Sequence, residues 1–192
     1  MTNATIFGKG NMGSAIASVF KKAGIESQVL DASTPAGTTI EGDIVVLAVP
    51  YPALATIADT YGDQLAGKTV VDITNPLDFS TFDSLVTPAD GSAAAELQAK
   101  LPQAKVLKAF NTNFAATLAS GKVGEATTVV QVAGDDDDAK KSLMDVVKAA
   151  GLDAIDAGSL KRARELEAFG FLQLALAVRE QISFTGGYTI TR

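Results

Sequence analysis

The stretch Thr5-Ile-Phe-Gly8-Lys9-Gly10-Asn11-Met12-Gly13 decides how this chain is read. A short β-rich run feeds into G-x-G-x-x-G, and an amphipathic helix follows at once. In that helix Met12, Ala15, Ile16, Val19, Phe20 and Ala23 recur at three- and four-residue spacing and form one apolar face. Gly24 closes it as a C′ glycine. Gly8 suits a tight strand-to-helix turn, Gly10 lets a pyrophosphate approach backbone, and Gly13 lets the helix pack closely on the strand. Unpaired N–H groups at the helix start then hold the phosphates. In a chain with 17 glycines the pattern alone is weak. Its context is what counts: it lies between a strand and a helix, and a second strand, Ser27 to Asp31, ends in an acid about 20 residues on. The stretch reads as a dinucleotide site.

Composition narrows the chemistry. At 192 residues the chain builds one sizeable α/β core, and 47% hydrophobic residues is ordinary for a globular protein. A net charge of −6 argues against nucleic-acid or anionic-membrane partners. Cysteine is absent, which excludes disulfides, thiol nucleophiles and thiolate metal sites. Histidine is absent too, so the common metal sites and His-based proton relays cannot be built, and we assign no metal. The chain enters a strand straight after Met1-Thr-Asn-Ala-Thr, and its longest apolar-rich run, Ala168 to Val178, is about half a bilayer span. We expect a soluble cytoplasmic protein.

Strands and helices alternate onward. Asp43 to Val49, stopped by Pro50, reads as a buried parallel strand. Too little chain separates it from Asp31 for a helix, a strand and a return turn, so one βα unit after the second strand is shortened. Pro52 to Leu65 reads as a helix, Lys68 to Thr74 as a strand ending at Asn75-Pro76, and Asp78 to Gly91 as an exposed loop. A helix capped by Ser92 runs to Leu101, and strands follow over Lys105–Asn111 and Thr127–Ala133. Asp135 to Asp138 suggest metal binding at first sight, but acids in the first turn of a helix over Ala139–Ala150 complement its dipole. Leu152 to Asp156 is the last sheet strand. A long helix from Leu160 to about Ile182 is apolar nearly all round, hence buried or shared with a second subunit, and Phe184 to Arg192 suits a small terminal strand. The expected fold is α/β: a doubly wound, mostly parallel Rossmann-type sheet with helices on both faces, formed by residues 1–192 as one unit.

With these pieces in order, the chain resembles the NADP oxidoreductases that act on the deazaflavin coenzyme F420. The resemblance runs nearly end to end. It rests on Gly8-Lys-Gly-Asn-Met-Gly13, Val49-Pro50, Asp72-Ile-Thr-Asn-Pro-Leu77, Lys108-Ala-Phe-Asn-Thr112 and Ala133-Gly-Asp-Asp136. It continues in Asp156-Ala-Gly-Ser-Leu160 and Ala163-Arg-Glu-Leu-Glu167. The resemblance implies hydride transfer between a nicotinamide and a flavin-like ring, and a homodimer built on the last helix. The chain departs from the family at the end of the second strand, where Ser-Arg or similar would hold the 2′-phosphate of NADP. Here Asp31-Ala32 stand instead, and a carboxylate accepts from a free ribose 2′-OH and repels a 2′-phosphate. Lys9, Ser33 and Thr34 remain as phosphate donors. The resemblance puts NADP(H) ahead, with NAD(H) open because of Asp31.

Ligands of open α/β sheets lie across the carboxyl ends of the strands. The expected cofactor residues are therefore Gly8, Lys9, Gly10, Asn11, Met12, Gly13, Asp31, Ala32, Ser33, Val49, Pro50, Asn75 and Pro76. Phe110, Asn111 and Thr112 are expected on the acceptor side, with Tyr51 a weaker candidate. No residue is assigned a proton-transfer role. Alcohol dehydrogenases need a group for the hydroxyl proton, often His, and no Tyr-x-x-x-Lys pair appears here. Hydride transfer to a flavin-type ring needs mainly two rings held at reacting distance. A reductase of a small carbonyl or imine and a non-catalytic redox sensor are the alternatives.

Overall fold

The computed structural model describes residues 3–191. Its centre is a seven-stranded sheet in the order β2-β1-β3-β4-β5-β8-β9. The first five strands in sequence are β1 (Ala4–Phe7), β2 (Ser27–Leu30), β3 (Ile44–Leu47), β4 (Thr69–Asp72) and β5 (Lys105–Lys108). They pair in parallel. A two-stranded ribbon, β6 (Lys122–Val123) and β7 (Ala126–Thr127), precedes β8 (Val129–Gly134) and β9 (Asp153–Gly158). β8 runs antiparallel to β5, while β9 runs parallel to β8. The sheet is therefore mostly parallel, as expected.

Helices cover both faces, which is why β1, β3 and β4 are buried at every residue. On one face lie α1 (Asn11–Lys22), α4 (Ala115–Ser120) and α5 (Asp137–Ala149). Ile6, Val46, Val71 and Leu107 meet Ile16, Phe20, Leu118 and Leu143 there. On the other lie α2 (Ala53–Leu65) and α3 (Ala93–Lys100), against which Val45, Leu47, Val70 and Val106 pack. α6 (Ala163–Val178) follows a short 3-10 turn, Leu160–Arg162, and closes over the carboxyl end of the sheet.

Local signals account for several boundaries. Ser92 caps α3 by accepting from the Ala95 amide at 3.1 Å. Asp136 does the same for α5 through Ala139 at 2.8 Å, with Asp137 and Asp138 in its first turn. Residues 31–43 form turns rather than a helix, so the shortened unit leaves β2 at the sheet's edge.

Three expectations are corrected. The last helix ends at Val178, not near Ile182. The tail is irregular through residue 191 rather than a strand, and Arg192 lies outside the described residues. Instead it folds back by side-chain contacts: the Tyr188 amide donates to Gln173 Oε1, and its ring packs on Phe169 with centroids 4.8 Å apart. The third correction is α4, which was not expected. At 6 residues it makes less than two turns, too short to show a period.

Candidate dinucleotide site

The glycine turn has the geometry its spacing foretold. Gly8 takes φ +106°, and a Cβ there would lie 2.1 Å from the Ala48 carbonyl oxygen. A Cβ on Gly13 would lie 2.1 Å from the Gly8 carbonyl oxygen, so helix and turn touch backbone to backbone. Gly10 has nothing within 4 Å of its missing Cβ and faces open space. α1 begins there with no side-chain cap and no acid in its first turn. Its first amides are thus free to bind an anion. This cradle fits a pyrophosphate.

A cavity flanks the turn on each side. The first, of about 800 Å³, lies between the end of β2 and helix α2 and is walled by Lys9, Asp31, Ser33, Val49, Pro50 and Ile57 among others. At its rim Lys9 Nζ stands 2.5 Å from Asp31 Oδ2. Asp31 Oδ1 accepts from the Ser33 amide at 2.8 Å and from the Ser33 hydroxyl at 2.5 Å. The Lys9 ammonium first, then the Ser33 donors, hold this carboxyl far below the usual carboxylate range. The Thr34 hydroxyl accepts from the Asp31 amide at 2.9 Å and locks the turn.

The second cavity, of about 750 Å³, lies between α1, the ends of β4 and β5, α4 and α6. Met12, Ile73, Phe114, Leu174 and Phe184 supply apolar walls, and Asn11, Ser14, Asn75 and Asn113 supply neutral polar groups. Its floor is an asparagine pair. Asn75 Nδ2 donates to the Asn111 carbonyl at 2.9 Å, and Asn111 Nδ2 donates to Asn75 Oδ1 at 2.9 Å and to the Leu166 carbonyl at 2.8 Å. Gly170 of α6 presses on this pair, since a Cβ there would sit 2.4 Å from Asn75 Oδ1. Phe114 and Phe184 meet at 5.0 Å between centroids, so the tail forms part of the wall.

Beneath the second cavity lies a buried charge cluster that the sequence reading missed. Lys108 Nζ stands 2.9 Å from Asp72 Oδ2 and 2.8 Å from Glu167 Oε1, and donates to the Thr74 carbonyl. Lys108 and Asp72 are fully buried, and Glu167 nearly so. Glu167 also accepts from the Ala93 and Ala94 amides, which caps α3 from α6. Burial pushes its carboxyl up, against the pull of Lys108. The cluster joins β4, β5, α3 and α6 just before Asn75 and Asn111. Its signal in the sequence was three charges set within apolar runs. Tyr51 sits apart and donates to Glu96 Oε2 at 2.6 Å, which raises its hydroxyl to about 12.

Three expected site residues lie elsewhere. Phe110 takes φ +63° and is fully buried in the core below the cavity. Pro76 is buried and lines neither cavity. Thr112 turns to the far side of the strand, where its hydroxyl accepts from Gln131 at 3.4 Å, within a separate 340 Å³ cavity under the tail. A residue after a strand faces whichever side the local φ dictates, and the positive φ of Phe110 reverses the simple alternation. Asn75 and Asn111 both line the second cavity, as its hydrogen-bonded floor.

The chain is 31% identical over 172 residues, 88% of its length and 76% of the relative's, to the F420-dependent NADP reductase of Methanocaldococcus jannaschii. The chain belongs to the coenzyme F420-dependent NADP oxidoreductase family. It is thus an NAD(P)-dependent oxidoreductase. The family model, NADP oxidoreductase coenzyme F420-dependent, matches residues 29–76, the span from β2 to the Asn75-Pro76 turn. A putative F420-dependent NADP-reductase from Arthrobacter sp. FB24 superposes with a TM-score of 0.84 at 25% identity, covering 98% of this chain and 99% of the other. The rat metalloreductase STEAP3 is 33% identical over 125 residues, 65% of this chain and 24% of that protein. Among the described residues no helix is long and apolar enough to cross a membrane, and no acid cluster has the geometry of a metal site.

Proposed function

We propose that this protein transfers a hydride between a nicotinamide dinucleotide and a flavin- or deazaflavin-type ring. The observation that carries the reading is the pair of cavities flanking one phosphate cradle. Adenosine belongs in the first cavity beside Asp31, the pyrophosphate over Gly8 to Gly13, and the nicotinamide at the mouth of the second beside Asn75. A bound reduced nicotinamide supplies two electrons and one proton as hydride, and the acceptor ring takes its second proton from water. The chain's own share is to bind, orient and exclude water. Its second cavity is apolar with neutral polar groups, which suits two stacked rings. With no histidine in the chain, the proton donor that carbonyl reduction needs would fall on Lys, Tyr or a carboxylate.

For the cofactor we propose NADP(H) ahead of NAD(H). The relatives above are named NADP reductases. Lys9 cancels much of the Asp31 charge, so a 2′-phosphate meets a neutral pair with hydroxyl donors on Ser33 and Thr34 rather than a bare carboxylate. The same Asp31 accepts from a free ribose diol, so NAD(H) also binds. Titration with NADPH and NADH followed by fluorescence, then turnover with flavins and 5-deazaflavins, tests both statements. Absence of binding would sink the site, and binding without turnover on any ring would sink the reaction. We also propose a homodimer, since Leu172 and Val178 leave apolar surface exposed on α6. Sedimentation at micromolar concentration decides this.

A further inference from the structure

The second cavity extends beyond its asparagine floor and the Phe114–Phe184 wall. It continues as a groove between α1 and α4, with Ser14, Ala15 and Ser18 on one bank and Ala115, Ala116 and Ala119 on the other. Positions 14, 18 and 22 follow at four-residue steps on one helix face, so the groove from Ser14 to Lys22 is about 12 Å long. At its far end the Lys22 ammonium donates to the Ala119 carbonyl at 3.1 Å. Lys22 is exposed and carries no ion pair among the described residues. Small side chains leave room for a ligand, the serine hydroxyls suit a hydroxylated chain, and the ammonium suits an anion. A further observation points to a ligand in this cavity. Asn113 lines it, is 7% exposed, and gives its amide N–H to the Val129 carbonyl while its Oδ1 has no partner.

We propose that the α1–α4 groove holds the polar side chain of the acceptor ring and that Lys22 selects acceptors whose side chain ends in an anionic group such as a phosphate. This rests on the ring-acceptor reading above and names the part of the acceptor that reading leaves open. Ring chemistry is then set at the Phe114–Phe184 end, and choice among acceptors is made at Lys22, on the opposite side of the glycine turn from Asp31.

Three probes sharing one ring separate the contributions: lumiflavin without a side chain, riboflavin with a neutral hydroxylated chain, and FMN with the same chain phosphorylated. Their 5-deaza counterparts repeat the series. Expected kcat/KM values fall in the order FMN, riboflavin, lumiflavin at low salt, and the FMN advantage shrinks as salt rises. Lys22→Gln should lower kcat/KM for FMN about fivefold, to the riboflavin value, by raising KM. Ser18→Leu, on an exposed helix face, should bring all three to the lumiflavin value. Lys141→Gln, remote from the groove, serves as the charge control. Equal values for the three probes, or an FMN advantage that survives Lys22→Gln, would overturn the proposal and leave the ring-acceptor reading intact. Tight cofactor binding with no turnover of any probe in either ring series would overturn both.

Discussion

The two cavities that share the glycine turn are built by opposite means. The side we assign to adenosine is local: Lys9, Asp31, Ser33 and Thr34 come from two short segments, with an exposed Lys9 ammonium paired to the partly buried Asp31 carboxylate. The ring side is assembled from α1, β4, β5, α4, α6 and the tail, with neutral walls over a buried charge cluster. The difference teaches where each kind of change acts. On the proposed adenosine side a substitution should alter which cofactor binds. On the ring side it alters whether the walls stand in place at all.

The largest effect is expected beneath the ring side. Lys108→Ala leaves Asp72 and Glu167 buried without their cation, and breaking such a pair typically costs about 3–5 kcal/mol. Thermal or urea unfolding should show that loss. A variant as stable as the wild type would mean that the cluster does not hold the cavity floor.

Gly170→Ala comes next. The added methyl meets Asn75 Oδ1 and the Asn111 carbonyl, and relief by shifting α6 costs about 1–3 kcal/mol. Turnover should fall more than cofactor affinity, most of which is set across the glycine turn. An equal loss in both would erase the distinction between the cavities.

Asp31→Asn should tighten NADPH roughly tenfold relative to NADH with little effect on stability, because it removes a carboxylate beside the 2′ position. Fluorescence titration reads the ratio, and an unchanged ratio would place cofactor choice elsewhere.

The smallest effect is on pH dependence. Burial raises the Glu167 carboxyl above its ordinary value of 4.5, so the folded state holds that proton more tightly than the unfolded chain does. Stability from this group is full below about pH 4.5 and is lost as pH rises through the folded value. Glu167→Gln should lack that descending step in unfolding measurements from acid to neutral pH. A wild-type curve that shows no descent relative to Glu167→Gln would reverse the assignment.

Legibility followed locality. G-x-G-x-x-G carries its turn, its helix start and its packing within a few residues, so Gly8, Gly10 and Gly13 could be assigned roles from spacing alone. Asp31, Ser33 and Thr34 lie in one turn and were singled out the same way. Ser92 and the aspartates before α5 were read as helix starts because capping is a matter of three or four neighbouring residues. The ring side was legible only in part. Asn75 and Asn111 were expected there because both follow strand ends. Phe110, Pro76 and Thr112 were expected there for the same reason and do not line it, since a strand end does not specify which way the next side chains turn.

The amino-acid sequence by itself determined the mostly parallel sheet, the glycine turn that meets backbone at Gly8 and Gly13, and the acid that follows β2. Each depends on periodicity, on missing Cβ atoms, or on residues a turn apart. Only the tertiary structure decided that Lys108 neutralises Asp72 and Glu167, that Gly170 seats α6 on Asn75, and that Phe184 walls the second cavity. These pairings join residues 36 to 95 positions apart in the chain. Such contacts depend on where whole elements come to rest, and that is set by burying both faces of the sheet at once.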